Sequence, residues 1–394
     1  MAERLPLRCA VVPPAPAPYR EPLFRALAER LELSVIYQSR AQPSWDQASN
    51  WSAKEHEYPA IHLRSWQHAR PGRTPIVWSR GLERALRRAT PGCVVVSEYG
   101  PVSLRVLAWC RRHARAYVIF TECTSEINRL LSPAQLALHR RLARHADGVI
   151  AVSSRARARL EAFGVPSDRI TVALQAADLE PVRAARMGRQ RDRGRPLTVL
   201  GVARLVPDKN LAALITAFAA TGLGPDDARL RIIGSGFLEA DLRRLAERLR
   251  VPAQFAGAVA PGRIAAEYAG ADVFALVSGY EPFGVAFREA AAAGLPIVAS
   301  QVAGAVGDVA IGERNAILVD PERIDQITAA LARLLRDATL RERMSVESLA
   351  IDRATDGHDV DAFAGAVGAA TRRAQVGAAA RRARGGHASA DGRR

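Results

Sequence analysis

The chain has 394 residues, enough for two domains with full cores, and its 56 Lys and Arg against 40 Asp and Glu give a formal net charge of +16. No apolar run approaches the roughly 18 residues a membrane-spanning helix requires, which sets aside an integral helical membrane protein. Four scattered cysteines (Cys9, Cys93, Cys110, Cys123), with no C-x-x-C and no paired histidines, argue against a zinc site and fit a reduced cytoplasm.

Apolar runs of strand length recur along the first half at 9–12, 33–37, 93–97, 117–120, 149–152 and 170–173, separated by helical patterns. The opening residues MAERLPLRCAVV lead into the first run without a signal-peptide pattern. All five tryptophans fall in this half. Trp45 and Trp51 lie in a polar loop, shaped for an acceptor or packed over a sheet edge. Helical stretches 105–115 and 136–144 mix Arg with Leu, Trp or His. Such faces either are solvated or lie on anionic lipid, at about 1 kcal/mol per basic residue near the surface.

Residues 181–195 are arginine-rich without apolar periodicity and read as a linker. Apolar runs then resume at 197–202, 230–233, 273–277, 296–299 and 316–319. The expectation is an α/β protein of two doubly wound, Rossmann-like domains facing each other across a cleft, with ligand at the carboxyl ends of the strands. The domains span 1–180 and 196–358. A helix at 359–375 follows, then a basic tail at 376–394. Residues 372–394 hold seven arginines against one aspartate and read as disordered.

The most informative stretch is Ser278-Gly279-Tyr280-Glu281-Pro282-Phe283-Gly284-Val285-Ala286-Phe287-Arg288-Glu289-Ala290. A buried strand precedes it, and a small-residue helix over 286–293 follows, stopped by Gly294 and Pro296. A helix N-terminus offers unpaired N–H groups and a positive dipole end, so it suits phosphate. Two carboxylates there would repel phosphate unless they face hydroxyls. Helical side chains lean towards the N-terminus, so Glu289 can reach a ribose whose phosphates sit at Phe283, Gly284 and Val285. Glu281 would face a second hydroxylated group beyond the phosphates. The bland alternative is a capping glutamate and a solvated helix residue.

Only two of the 56 basic residues are lysines, Lys54 and Lys209. Lys209 falls in the loop between the run 197–202 and a helix starting near Asn210, with Asp208 as a plausible N-cap. A compact ammonium on a flexible stem suits a phosphate, although a surface lysine is the plain alternative.

Segment 281–300, EPFGVAFREAAAAGLPIVAS, resembles the signature of the family 4 glycosyltransferases, in which a second Glu stands eight after the first. Residues 201–210, GVARLVPDKN, resemble that family's phosphate loop. Ile232-Ile233-Gly234-Ser235-Gly236, Phe255-Ala256-Gly257 and the Tyr268 to Asp272 approach continue the agreement in order and spacing. The resemblance covers most of 196–345 and, loosely, 5–180. It implies the GT-B fold and a retaining, metal-independent transfer of a sugar from a nucleotide-diphosphate donor to a glycan, lipid-linked or small-molecule acceptor. It further implies that Glu281 orients the sugar, Glu289 holds the ribose, and Gly234 belongs to the donor site. Arg204 and Lys209 would stabilise the departing diphosphate. Retention rests on the resemblance alone.

The first half departs from that family. A Pro-rich stretch, residues 13–22, stands where relatives have a glycine-rich loop, and Thr121-Glu122-Cys123 stands where they commonly have a histidine. Glu122, Tyr19 and Arg20 are the acceptor-side candidates, with helix capping the alternative for Glu122. Asp359-Val360-Asp361 precedes a helix rather than following a strand, so it reads as N-terminal helix charge instead of a metal pair. No cofactor is expected beyond the nucleotide sugar as co-substrate. Two other readings are a nucleotide-sugar epimerase of the same fold, needing acids such as Glu122 and Glu126, and a basic nucleic-acid-binding protein. The latter lacks a finger, a recognition helix or an aromatic-plus-basic sheet. The expected location is cytoplasmic, peripheral to the inner face of the membrane.

Overall fold

A computed structural model describes residues 7–40, 56–68, 76–188 and 194–390. In the first half the strands are β1 (Arg8–Val12), β2 (Glu32–Tyr37), β3 (Ala60–His62), β4 (Arg64–His68), β5 (Ile76–Arg80), β6 (Cys93–Ser97), β7 (Ala116–Thr121), β8 (Gly148–Ala151) and β9 (Ile170–Val172). Among the described residues, all but β4 and β5 join one parallel sheet in the order β3-β2-β1-β6-β7-β8-β9. Strands β6, β7 and β8 are buried at every position, as valine-rich strands covered on both faces must be. Strands β4 and β5 form a separate antiparallel hairpin with Trp66 opposite Trp78.

The second half contains β10 (Leu197–Val202), β11 (Ala228–Ile233), β12 (Ala253–Phe255), β13 (Val273–Leu276), β14 (Ile297–Ser300) and β15 (Ala316–Val319). They form a parallel sheet in the order β12-β11-β10-β13-β14-β15. In both sheets the chain runs outward from the first strand and then returns to its other side. The crevices where the order reverses, between β1 and β6 and between β10 and β13, are where doubly wound sheets bind ligands.

Two expectations require correction. The segment 181–195 does not open as an irregular linker, because Glu180–Met187 is a helix that buries Val182. Its Arg183 makes a two-pronged ion pair with Asp352 of the helix Ala338–Thr355, at 2.9 Å on each prong. One apolar position and one paired arginine suffice to dock a two-turn helix, and neither produces a visible periodicity. Residues 376–390 are not an irregular tail either, since the last helix runs His358–Ala390. Its alanine content favours helix despite the charge. This helix packs Phe363 edge-on against Phe120 at 5.5 Å, and its Arg373 donates to the Asp147 carbonyl at 2.7 Å. It therefore crosses back to the first domain. Trp45, Trp51 and Lys54 lie outside the described residues.

Candidate active site

Two loops leave the carboxyl ends of β10 and β13 and meet. The Asp208 carbonyl accepts from the Gly279 amide at 2.9 Å, and Asn210 donates its side-chain amide to the Val277 carbonyl at 3.2 Å. Asp208 does not cap the next helix. Asn210, with a left-handed backbone (φ 53°), stands immediately before the helix Leu211–Ala220. The loop after β11 lies directly on the first of these loops. A Cβ on Gly234 would stand 1.8 Å from the Ala203 carbonyl oxygen, so only glycine permits that approach. Arg204 is exposed on this loop, and Ser235 accepts from the Leu205 amide at 2.8 Å.

Lys209 Nζ sits 2.6 Å from Glu281 Oε2, with both side chains nearly enclosed. Ser278 Oγ lies 3.5 Å from the same oxygen. Next comes buried Phe283, then Gly284 at φ 91°, immediately before the helix Val285–Ala292. Its opening amides have no carbonyl to pair with inside the helix. Further along, Glu289 Oε2 accepts from Tyr268 Oη at 2.6 Å. Burial pushes the Glu289 carboxyl up from its usual range, the Tyr268 hydrogen bond pulls it back, and the charge of Asp178 adds to the rise. Lys209 and Glu281 thus meet beside this helix N-terminus at the β10/β13 crevice, while Glu289 lies further along the same helix against Tyr268.

The first domain contributes the facing wall. Tyr19 and Arg20 lie in the Pro-rich stretch after β1, and the Arg20 guanidinium lies 5.4 Å over the Phe120 ring of β7. Arg20 is 5 % exposed, and its Nε has no hydrogen-bond partner. Burial pushes the Tyr19 phenol up to about 12, Arg20 opposes this, and Glu122, Glu98 and Glu281 add to it. Glu122 follows β7 and shows no cap: Thr124 occupies the position before the 3-10 turn Ser125–Leu130. The two domains touch where Asp308 of the second accepts from the Ser154 amide and Oγ of the first, at 2.7 and 2.6 Å.

Sequence reasoning did not single out three residues. Glu98 follows β6, and the charge of Glu122 acts on it. Tyr268 holds Glu289. Arg288, 3 % exposed, donates to the Gln175 carbonyl at 2.8 Å and pairs with Asp359 at 3.3 Å, tying together the two places where the chain passes between domains. Only Glu98 carried a visible signal, as the first polar residue after an apolar strand. Asp359 stands in the first turn of its helix, as read, and also answers Arg288.

Comparison with known proteins agrees with this architecture. The profile "Glycosyltransferase Family 4" matches residues 22–180, and "Glycosyl transferases group 1" matches 184–348. A GDP-mannose-dependent alpha-(1-6)-phosphatidylinositol monomannoside mannosyltransferase of Mycobacterium tuberculosis is 32% identical over 227 residues, covering 54% of this chain and 58% of that protein. A D-inositol 3-phosphate glycosyltransferase of Corynebacterium glutamicum is 34% identical over 203 residues, covering 48% of each chain. The match therefore spans about half the length of these curated relatives. The solved structure of Anabaena Alr3699/HepE in complex with UDP and glucose superposes with a TM-score of 0.67 at 18% identity, over 94% of this chain and 100% of that one, which shows a shared GT-B fold. With both halves matched and both crevices in place, the chain belongs to the family 4 glycosyltransferases.

Proposed function

We propose that this protein is a retaining, metal-independent glycosyltransferase that moves a sugar from a nucleotide-diphosphate donor to a hydroxylated acceptor. The observation that carries the reading is the Lys209–Glu281 pair, 2.6 Å long, set beside a helix N-terminus with Glu289 on the same helix. The bond from the anomeric carbon to the diphosphate breaks through an oxocarbenium-like transition state, and negative charge grows on the leaving group. An ammonium about 4 Å from that charge contributes on the order of 4 kcal/mol at an effective dielectric near 20, before desolvation. Lys209 has three donors, so it can keep Glu281 and still reach a phosphate oxygen. With Arg204 and the amides of Phe283, Gly284 and Val285, it would act where charge develops, which is what accelerates a reaction. These groups fill the role a divalent cation plays elsewhere.

Glu281, held in place by Lys209 and Ser278, would accept hydrogen bonds from the sugar, and Glu289 would grip the ribose. Gly234 lets the loop below the diphosphate lie close. The relatives' names favour GDP-mannose as donor and a lipid-linked or inositol-bearing acceptor. No helix of the described residues is long and apolar enough to cross a membrane. The exposed Trp66 and Trp78, with Arg80 4.8 Å over Trp66, support peripheral contact with anionic lipid at the inner face.

A thermal-shift and donor-hydrolysis screen across UDP-, GDP-, ADP- and dTDP-sugars tests the reading. One donor should stabilise the protein, Glu289→Ala should abolish that shift, and Lys209→Ala should cut turnover by about 10²–10³-fold while the fold still melts cooperatively. No shift with any nucleotide sugar would refute it. Vesicles containing anionic lipid should sediment with the protein, and no binding at low salt removes the membrane part alone.

A further inference from the structure

The chain passes between its domains twice, and one guanidinium holds both passages. The first runs from β9 through residues 173–179 into the helix Glu180–Met187. The second leaves the helix Ala338–Thr355 and enters the helix His358–Ala390 by way of Gly357, which turns at φ 67° with open space around it. Arg288 donates through Nη1 to the Gln175 carbonyl of the first passage at 2.8 Å and to Asp359 of the second at 3.3 Å. Its Nη2 reaches the Thr355 carbonyl at 3.4 Å. A planar fork with five donors can serve acceptors set in different directions, which an ammonium on one stem does less well. A buried ion pair often adds no stability over well-packed apolar side chains. What Arg288 adds is a fixed attachment of the helix Val285–Ala292, one residue before Glu289, to both passages.

The first passage is not at rest in this arrangement. Gln175 is 1 % exposed, and neither its side-chain oxygen nor its side-chain nitrogen has a hydrogen-bond partner in the protein. Arg288 Nε is buried and unpartnered as well. Interiors rarely leave such groups unpaired, because each loses its water and gains nothing in return. Here three of them fall on two residues that already touch. In the same arrangement the domains are drawn together at Asp308 and Ser154. Taking the transferase reading as given, we propose that this passage is a hinge loaded to open, with Arg288 as its pin and the Gln175 amide as its load. The closed cleft strands the amide, opening gives it partners, and a bound nucleotide offsets the difference. Arg288 is a positioning residue in this scheme: a donor drawn onto the helix at Glu289 pulls both passages with it. A ligand shifts an equilibrium only by its preference for one state, and the passage supplies the two states on which that preference acts.

The test uses the full chain with GDP, UDP, ADP and dTDP, read by calorimetry, thermal melts and small-angle scattering. The parent should contract when its nucleotide binds. Gln175→Met keeps the length of the side chain and removes both unpaired groups. It should melt no lower than the parent, bind the same nucleotide about 3–10-fold tighter, and show one radius of gyration with and without it. Arg288→Lys keeps a charge for Asp359 but cannot hold both passages. It should melt cooperatively and still bind nucleotide, with the contraction lost. An arginine that merely braced the fold would show its loss in the melt and leave the contraction intact. A parent that binds nucleotide without contracting overturns the hinge while the donor site stands. So does a Gln175→Met protein that melts lower and binds no tighter, since the amide was then satisfied as it stood. Absence of binding of all four nucleotides by the parent refutes the transferase reading, and this inference with it.

Discussion

Glu98 takes a left-handed backbone at the end of β6, and burial beside Glu122 lifts its carboxyl from the usual 4.5 to about 7. The folded chain therefore holds that proton where an unfolded chain releases it. The stability tied to this group is fully present below about pH 4.5 and is lost as pH rises through 7. A neutral Glu98→Gln should be the more stable protein at pH 8 by on the order of 1–3 kcal/mol, with the difference shrinking towards pH 5. Denaturant melts at the two pH values measure this, and a gap that stays constant with pH would contradict the buried-acid account. At this scale the second-domain site was the legible one, because Lys209 is rare in an arginine-rich chain and Glu281 and Glu289 flank a helix start. Glu98, Tyr268 and Arg288 act through partners 21 or more positions away, such as Glu289 for Tyr268, and local spacing cannot reveal that.

The loops that build the crevice depend on backbones in contact. A Cβ on Gly304 would stand 1.8 Å from the Pro282 carbonyl oxygen, and the Gly304 amide already donates to the Glu281 carbonyl at 2.9 Å. Gly304→Ala must push residues 281–283 away from their place before the helix Val285–Ala292. It should cost about 2–4 kcal/mol and weaken donor binding as well. Gly307 has φ 92° but open space around its Cβ, so Gly307→Ala carries only the conformational penalty of about 1 kcal/mol and leaves donor binding alone. Equal losses in the two variants would mean that the contact at Gly304 does not shape the site. Elements with continuous apolar runs, such as β6, β10 and β15, could be read directly from the sequence. Strands β3 and β12 could not, since each is three residues long and incompletely buried. The β4–β5 hairpin sets Ser, Arg, Gln and His beside its apolar residues and keeps only Ile76-Val77-Trp78 in a row, too short to be read as a strand.

Across the whole molecule, the two domains are joined unequally around the cleft. On one side the contact is extensive: Arg288 binds the Gln175 carbonyl and Asp359, and the helix His358–Ala390 lies on the first domain. On the other side stands an exposed contact in which Asp308 of the second domain accepts from the Ser154 amide at 2.7 Å and its Oγ at 2.6 Å. Ser154 opens the helix Ser154–Ala162, so a carboxylate there meets both free N–H groups and the positive dipole end. Solvent weakens such a contact to about 0.5–1.5 kcal/mol, enough to shift a two-state opening by roughly 2–10-fold. The buried side resists sliding, so loss of the exposed contact should hinge the domains apart instead of separating them. Asp308→Ala should raise the radius of gyration of the unliganded protein in small-angle scattering and weaken nucleotide binding by the same few-fold factor. Added nucleotide should restore the parent curve, because a donor held between Glu281 and the first domain favours the closed arrangement. Scattering curves that coincide for parent and variant, with and without nucleotide, would show that Asp308 closes nothing, and that the rigid side alone sets the distance between the two crevices.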